Sequence, residues 1–343
     1  MMLSLIFSLI IYIFSFNFGL NINNFIFTPV IEEYSGRASS NLRVLTASVK
    51  KIVIGKEAEA IISEIDRARN QIEQQGKLPE SPDHFPAKST STEFSITANE
   101  AFSMDSYNED VLFEKNAEQP WPLASITKLI TALVFLDYNP GWETIYEVKE
   151  EDKREGGKIY LFPGEKVKVK DLFHVSLVGS GNSETISLVR STGLSEAEFI
   201  AKMNIKVKSL GLENTSFSDP VGLDDKNVST AKEVAKIIKI ALANDDIAKA
   251  TLTKKYSFKT LQGREKKIFS TDELLDTNLT NNIRVMGGKT GHTDKAGFSF
   301  AGKFINNQGD EIISVVLGGL DKDSRFSETH DLVKWVFESY RWR

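Results

Sequence analysis

An α+β fold, an antiparallel sheet flanked by helices with a helical subdomain attached, is what the sequence predicts, and three patterns predict it. Hairpin-like strand pairs occur near residue 105 and again near residue 307, the stretch from about 165 to 250 is mostly helical in pattern, and a last helix closes the chain.

Taken in order, Phe94, Ile96 and Ala98 alternate as a strand does. Ala101–Met104 and Val111–Glu114 read as two arms of a hairpin around Tyr107-Asn108-Glu109-Asp110. Pro122 then precedes an apolar helical run from Ser125 to Leu136. After the helical middle, Phe298–Phe304 and Ile312–Leu317 flank Asn306-Asn307-Gln308-Gly309 as a second hairpin, and Phe326–Tyr340 is the closing helix. The texture before residue 93 differs. Between Lys56 and Gln75, Ala58, Ile61, Ile62, Ile65, Ala68 and Ile72 share one helical face, which suits a short coiled stalk or a solvated spacer helix. Pro79, Pro82 and Pro86 with a Ser/Thr run then read as linker. The expected organisation is therefore 1–20, an apolar leader; 21–92, an extension with helix and linker; and 93–343, the main folded domain.

Composition narrows the chemistry. Of 343 residues, 41% are hydrophobic, enough to bury a real core, and the net charge of −5 comes with no basic run, which argues against nucleic acid as a partner. Cysteine is absent, which removes disulfides, thiolate nucleophiles, cysteine-held metals and a lipidated-cysteine anchor. The four histidines, His84, His174, His292 and His330, form no H-E-x-x-H, which argues against a zinc hydrolase. Met2–Phe16 is almost wholly apolar and the first charge is Glu32. Extended to Leu20 as a helix, the stretch measures ~28 Å against a hydrocarbon core of ~30 Å. It reads as a membrane anchor, with a cleaved signal peptide as the alternative. Either places the rest of the chain outside the cytoplasm.

Three short patterns carry chemistry. Ser-x-x-Lys occurs at Ser125/Lys128, Ser48/Lys51 and Ser229/Lys232; Ser-x-Asn occurs at Ser180/Asn182 among other places; Lys289-Thr290-Gly291 occurs once. At Ser125 the spacing puts hydroxyl and amine on one helical face, at the start of a strongly apolar helix. Burial lowers the pKa of an amine, so a neutral Lys128 suits a general base for Ser125. Ser229 instead reads as the N-cap of a helix from Ala231. Gly179 and Gly181 bracket Ser180, which is either an exposed catalytic hydroxyl or a residue of a plain interhelical turn. The glycines around Lys289-Thr290-Gly291 suit either a strand edge that a ligand approaches or a glycine-rich turn. In this order the three patterns are those of penicillin-binding proteins and class A β-lactamases, with Gly181 where aspartate stands in the middle element.

Further stretches extend that likeness: Val111–Ala117, Pro122–Leu133, Pro163-Gly164-Glu165, Asp171-Leu172, Leu210–Phe217, Gly222-Leu223-Asp224, Ser229-Thr230-Ala231 and Lys289–Gly297. Over roughly 94–340 the chain resembles the low-molecular-mass penicillin-binding proteins, the serine D-alanyl-D-alanine carboxypeptidases of peptidase family S11. The resemblance implies their transpeptidase fold, which β-lactamases share. It implies Ser125 as the acylated nucleophile and Lys128 as its base, with Ser180 and Asn182 completing the proton network. Lys289 and Thr290 would bind the substrate's terminal carboxylate, Gly291 would line the substrate site beside them, and the main-chain N–H groups of Ser125 and His292 would form the oxyanion hole. The resemblance implies no metal or organic cofactor. The implied substrates are peptidoglycan stem peptides, the implied covalent inhibitors β-lactams, and the implied location the outer face of the cell membrane.

Two alternatives share the residues: a D,D-endopeptidase that cuts cross-links, and a wall-binding protein of this fold without activity. A class A β-lactamase is disfavoured because Glu213-Asn214 lacks the Glu-x-x-x-Asn spacing. Two departures stand out. Ser270-Thr271-Asp272-Glu273-Leu274-Leu275 is acidic where relatives carry Arg or Asn that assists carboxylate recognition, leaving Arg284 and Arg325 as substitutes. The extension before residue 93 has no counterpart in the family.

Overall fold

Five strands, β1 (Glu100–Asp105), β2 (Val111–Lys115), β3 (Arg284–Thr293), β4 (Gly297–Ile305) and β5 (Glu311–Gly319), form one antiparallel sheet in the spatial order β3-β4-β5-β1-β2. The computed structural model describes residues 86–89, 93–277, 279 and 283–342, all within the compact unit His84–Arg343. The apolar leader at 2–20, the helix at 56–75, the Ser48/Lys51 pair and most of the linker lie outside the described residues.

Successive strand residues face opposite sides of a sheet, and here both sides are covered. Phe102, Met104, Ala301, Ile313, Val315 and Leu317 point into one core, shared with a group of helices. Ala101, Phe300, Phe304, Ile312 and Val316 point into the other, against Phe326, Leu332, Val333 and Val336 of the closing helix. That two-sided burial is why β5 reads as an unbroken apolar run, Ile312-Ile313-Ser314-Val315-Val316-Leu317, rather than an alternation.

The helices are α1 (Lys128–Asp137), α2 (Val169–Val178), α3 (Asn182–Ser191), α4 (Glu196–Ser209), α5 (Ala231–Leu242), α6 (Asp245–Thr251) and α7 (Ser324–Ser339). α1 is apolar nearly all round, Leu129-Ile130-Thr131-Ala132-Leu133-Val134-Phe135, and such a helix belongs inside. α4 opens with a capping box between Ser195 and Glu198. Two ribbons outside the main sheet, Ile145–Glu147 with Lys166–Lys168 and Lys255–Lys259 with Glu265–Phe269, were not foreseen.

The two hairpins, the helical middle and the closing helix agree with expectation, and the whole is α+β. Three local readings are corrected. Residues 93–97 form no strand. Side chains satisfy their backbone instead: Lys115 Nζ donates to the carbonyls of Ile96 and Ala98, at 2.8 and 2.7 Å, and Glu328 accepts from the N–H of Thr97 at 2.7 Å. The cap of α5 is Thr230, whose hydroxyl accepts from Glu233 N–H; Ser229 lies in a two-residue strand and bonds Thr215 instead. The run from Ser125 begins as a 3-10 turn, Ala124–Thr127, before α1. Within the stretch read as linker, Pro86–Lys88 pairs antiparallel with Tyr340–Trp342.

Candidate active site

The residues singled out by sequence come from three separate parts of the chain, and the fold gathers them at the sheet edge formed by β3. Ser125 stands on the 3-10 turn that leads into α1. The chain enters this turn from Trp121–Pro122, which pairs with Val228–Ser229, and Trp121 Nε1 donates to Ala296 O at 2.9 Å. Asn227 adds a bond to the Thr127 hydroxyl. Ala124 takes a left-handed backbone, φ 46°. Such a residue costs roughly 1–3 kcal/mol and persists only where its surroundings hold it. From the other side β3 closes in through Gly291: a Cβ there would stand 2.7 Å from the carbonyl oxygen of Leu123.

Lys128, the first residue of α1, is fully buried. Its amine lies 2.8 Å from Asn182 Oδ1, 2.8 Å from the carbonyl oxygen of Val221 and 2.7 Å from Ser125 Oγ. Two of these contacts are to atoms that only accept. A neutral amine that donates to both has its lone pair left for the third, the Ser125 hydroxyl. Burial brings the Lys128 pKa down to about 7, against the opposing charges of Asp219 and Glu184. An amine of that affinity takes and returns a proton near neutrality.

Ser180 sits between α2 and α3 in a left-handed conformation, φ 57°, so the turn between the helices carries a half-buried hydroxyl. Lys289 Nζ donates to Ser180 Oγ at 2.8 Å and to the carbonyl of Thr290 at 3.1 Å. Lys289 is itself buried, and burial first, then the Lys128 and Arg325 charges, holds its pKa well below the ordinary lysine value. Asn182 uses both ends of its amide, accepting from Lys128 and donating to Gly156 O at 2.9 Å. Thr290 Oγ1 meets Thr271 Oγ1 at 2.7 Å. His292 is exposed, with its ring stacked on Phe298 at 3.9 Å.

Of the two arginines, Arg325 reaches this place: it is buried, stands 4.5 Å over the Phe326 ring, and its Nη1 donates to Gly291 O at 3.4 Å. Arg284 lies at the far end of β3, ~17 Å up the strand from Lys289 at the usual rise.

Sequence reasoning missed two acids here. Asp219 accepts from the N–H groups of Val221 and Gly222, both at 2.6 Å, and so shapes the loop whose Val221 carbonyl holds Lys128. Asp-Pro-Val-Gly is a turn composition, and that was the available signal. Glu184 Oε1 accepts from Tyr160 and Leu161 N–H, each at 2.8 Å, and ties the 156–162 segment to α3. Nothing local marks a glutamate one turn into a helix for that task.

Residues 87–321 match the family model of D-alanyl-D-alanine carboxypeptidase, peptidase S11. The carboxypeptidase DacF of Bacillus subtilis is 30% identical over 73% of this chain, and DacC of Escherichia coli 31% over 76%. The aligned parts cover 64% and 66% of those relatives, less than two thirds of their own length. A D-alanyl-D-alanine endopeptidase of Pseudomonas aeruginosa is 26% identical over 70% of this chain and 77% of its own. Among solved structures, the Streptomyces K15 DD-transpeptidase superposes with a TM-score of 0.64 at 24% identity, over 72% of this chain and 99% of its own. A penicillin-binding protein homologue of Mycobacterium tuberculosis gives 0.66 at 27%, over 74% and 95%. The fold is that of the penicillin-binding DD-transpeptidases, and the chain belongs to the D-alanyl-D-alanine carboxypeptidase family, peptidase S11.

Proposed function

We propose that the protein is a serine D,D-carboxypeptidase that removes the terminal D-alanine from peptidoglycan pentapeptide stems. The observation that carries this reading is the Lys128 amine, held by Asn182 and Val221 with its third contact on Ser125 Oγ. Neutral Lys128 takes the Ser125 proton as Oγ attacks the carbonyl carbon of the D-Ala–D-Ala bond. The N–H groups of Ser125 and His292 stabilise the oxyanion, a contribution of roughly 10²–10³ in rate per donor. Lys128 returns that proton by way of Ser180 to the leaving nitrogen as the C–N bond breaks, D-alanine departs, and water then attacks the ester, its proton ending on Ser125 Oγ as the acyl bond breaks. The substrate carboxylate sits among Lys289, Thr290 and Arg325, where three donor side chains converge. β-Lactams acylate Ser125 by the same route.

A second reading, cleavage of cross-links, draws on the endopeptidase relative and uses the same residues. One experiment separates them. The full chain is incubated with a pentapeptide stem and, separately, with a cross-linked dimer, and the products are weighed by mass spectrometry. Loss of one alanine from the stem is the expected result, whereas splitting of the dimer alone selects the endopeptidase. Labelling of Ser125→Ala by fluorescent penicillin at the wild-type level overturns the nucleophile assignment.

The apolar stretch Met2–Phe16 supports placing the catalytic part at the outer face of the cytoplasmic membrane. No helix among the described residues is long and apolar enough to cross a membrane. Cell fractionation with amino-terminal sequencing tests this: an intact terminus in the membrane fraction is expected, and a processed soluble form indicates a cleaved signal.

A further inference from the structure

The turn Glu273–Asp276 that flanks the carboxylate pocket is capped by Asp272, whose Oδ1 accepts from Leu274 N–H at 2.9 Å. The other oxygen, Oδ2, is buried and accepts from no protein donor. The adjoining residue, Thr271, is fastened to Thr290, so Asp272 is held beside the pocket by its neighbour as well as by its own cap. Three charged groups act on it: Lys289 from β3, Arg325 from α7, and Asp276 from its own turn. Arg325 is likewise incompletely paired, with Nε buried and donating to nothing. Buried polar groups without partners are rare, and each calls for an explanation.

A buried carboxyl oxygen without a partner thus stands next to Thr271, which is bonded to one of the donors assigned above to the substrate carboxylate. A substrate carboxylate has only acceptors, and an ionised Asp272 has nothing to give it but repulsion. A carboxamide has an acceptor for the cationic side and an N–H for Asp272. A carboxylate fits equally well once Asp272 carries a proton and becomes a donor. We propose that Asp272 is a specificity-determining residue, setting whether the leaving D-residue ends in a carboxylate or a carboxamide. Protonated Asp272 admits the acid; ionised Asp272 favours the amide. Burial lifts the Asp272 carboxyl to about 7, so both forms are present near neutrality. An anion bound beside Asp272 raises that affinity further, so the acid substrate binds with uptake of a proton above neutral pH.

This rests on the D,D-peptidase reading and names its substrate class more closely. The full chain is assayed on an acyl-D-Ala-D-Ala peptide and on the same peptide ending in carboxamide, from about pH 6 to about pH 8.5, and kcat/KM is compared as a ratio. Titration of Lys128 affects both substrates alike and cancels in the ratio. The acid-to-amide ratio is expected to fall about tenfold per pH unit at most above the Asp272 midpoint. Lys289, whose pKa burial holds well below the ordinary lysine value, also favours the acid, so the Asp272→Asn variant separates the two contributions. Asparagine carries no charge at any pH in the range, and the expected result is a ratio that stays high through neutrality. A flat wild-type ratio overturns the proposal, as does an Asn variant whose ratio falls with the wild-type midpoint and amplitude. Stoichiometric labelling of Ser125 by fluorescent penicillin checks that each variant is folded. If penicillin labels Ser125 but neither peptide turns over, the peptidase reading itself has failed, a different outcome from loss of acid–amide discrimination.

Discussion

At Lys128, three contacts converge on one amine that burial has already stripped of water, and the protonation state follows from what surrounds it. Asp219 and Glu184 both supply negative charge that raises the Lys128 pKa, against a larger lowering by burial. Removing one of those charges while keeping the shape tests the balance. In Glu184→Gln, Oε1 can still accept from Tyr160 and Leu161 N–H. The Lys128 pKa then falls, more of the amine is neutral at a given pH, and the acid limb of the penicillin acylation rate moves to lower pH. The wild-type limb is expected near pH 7. Stopped-flow acylation from pH 5 to 9 reads both, and an unmoved limb means that Glu184 acts only as a tether. The residue-scale features that sequence made legible are the ones with fixed spacing: Ser125/Lys128, Ser180/Asn182 and Lys289-Thr290-Gly291. Asp219 and Glu184 were not legible as site residues, and Asp272 was legible only as part of an acidic stretch, without its orphaned oxygen. Their roles depend on contacts across 93 residues, as between Val221 and Lys128, or on a missing partner, and neither leaves a local mark.

At the scale of elements, strand β1 holds a second buried acid far from this chemistry. Glu100 is 1% exposed and neither carboxyl oxygen has a side-chain partner. Burial lifts its pKa to about 8, with the Ala231 N–H at the start of α5 pulling the other way. The native state therefore keeps a proton through neutral pH that the unfolded chain releases above its ordinary value of 4.5. Stability falls as pH rises between those two values and levels off beyond them. Glu100→Gln removes the titration. The variant is expected to melt above wild type at pH 9, by a difference on the order of a few kcal/mol, which shrinks towards pH 5. Thermal melts at three pH values decide it; equal melting shifts at all three exclude the ionisation argument. Strand β3 gives a complementary case, because Gly291 has room for no Cβ against Leu123 O. Gly291→Ala forces the strand and the nucleophile turn apart, and penicillin acylation is expected to drop by at least about tenfold while folding survives. Wild-type acylation by this variant means the strand can retreat freely. Sequence patterning served the elements well where one period dominated, as in the hairpins and α1. It failed at residues 93–97, where the apolar alternation is real but Lys115 and Glu328 satisfy the backbone in place of a neighbouring strand.

The molecule as a whole places its chemistry at a seam. Ser125, Lys128, Ser180 and Asn182 come from the helical layer on one face of the sheet, Lys289 and Thr290 from the sheet's edge strand, and Arg325 from the helix on the opposite face. One core lies on each face of the sheet, between it and the helices that cover that face, so a ligand at the sheet's edge is placed to touch all three layers. An acyl group on Ser125 is covalent and stays attached when the chain unfolds, so mass action does not contribute to any stabilisation it brings. What remains is the set of contacts the adduct makes in the native state alone, with β3, the Ser180 turn and Arg325. Benzylpenicillin is therefore expected to raise Tm by several degrees, since a shift of roughly 2–4 °C accompanies each kcal/mol in a domain of this size. Replacing Arg325 by Leu should leave the mass added on acylation unchanged and remove much of the shift, if the proposed contact between Arg325 and the drug's carboxylate is what ties the adduct to the far layer. Differential scanning calorimetry paired with intact-mass measurement tests this. Full acylation without a Tm change in the wild type would mean that the adduct touches only the layer that carries Ser125, and that the three layers do not share the site.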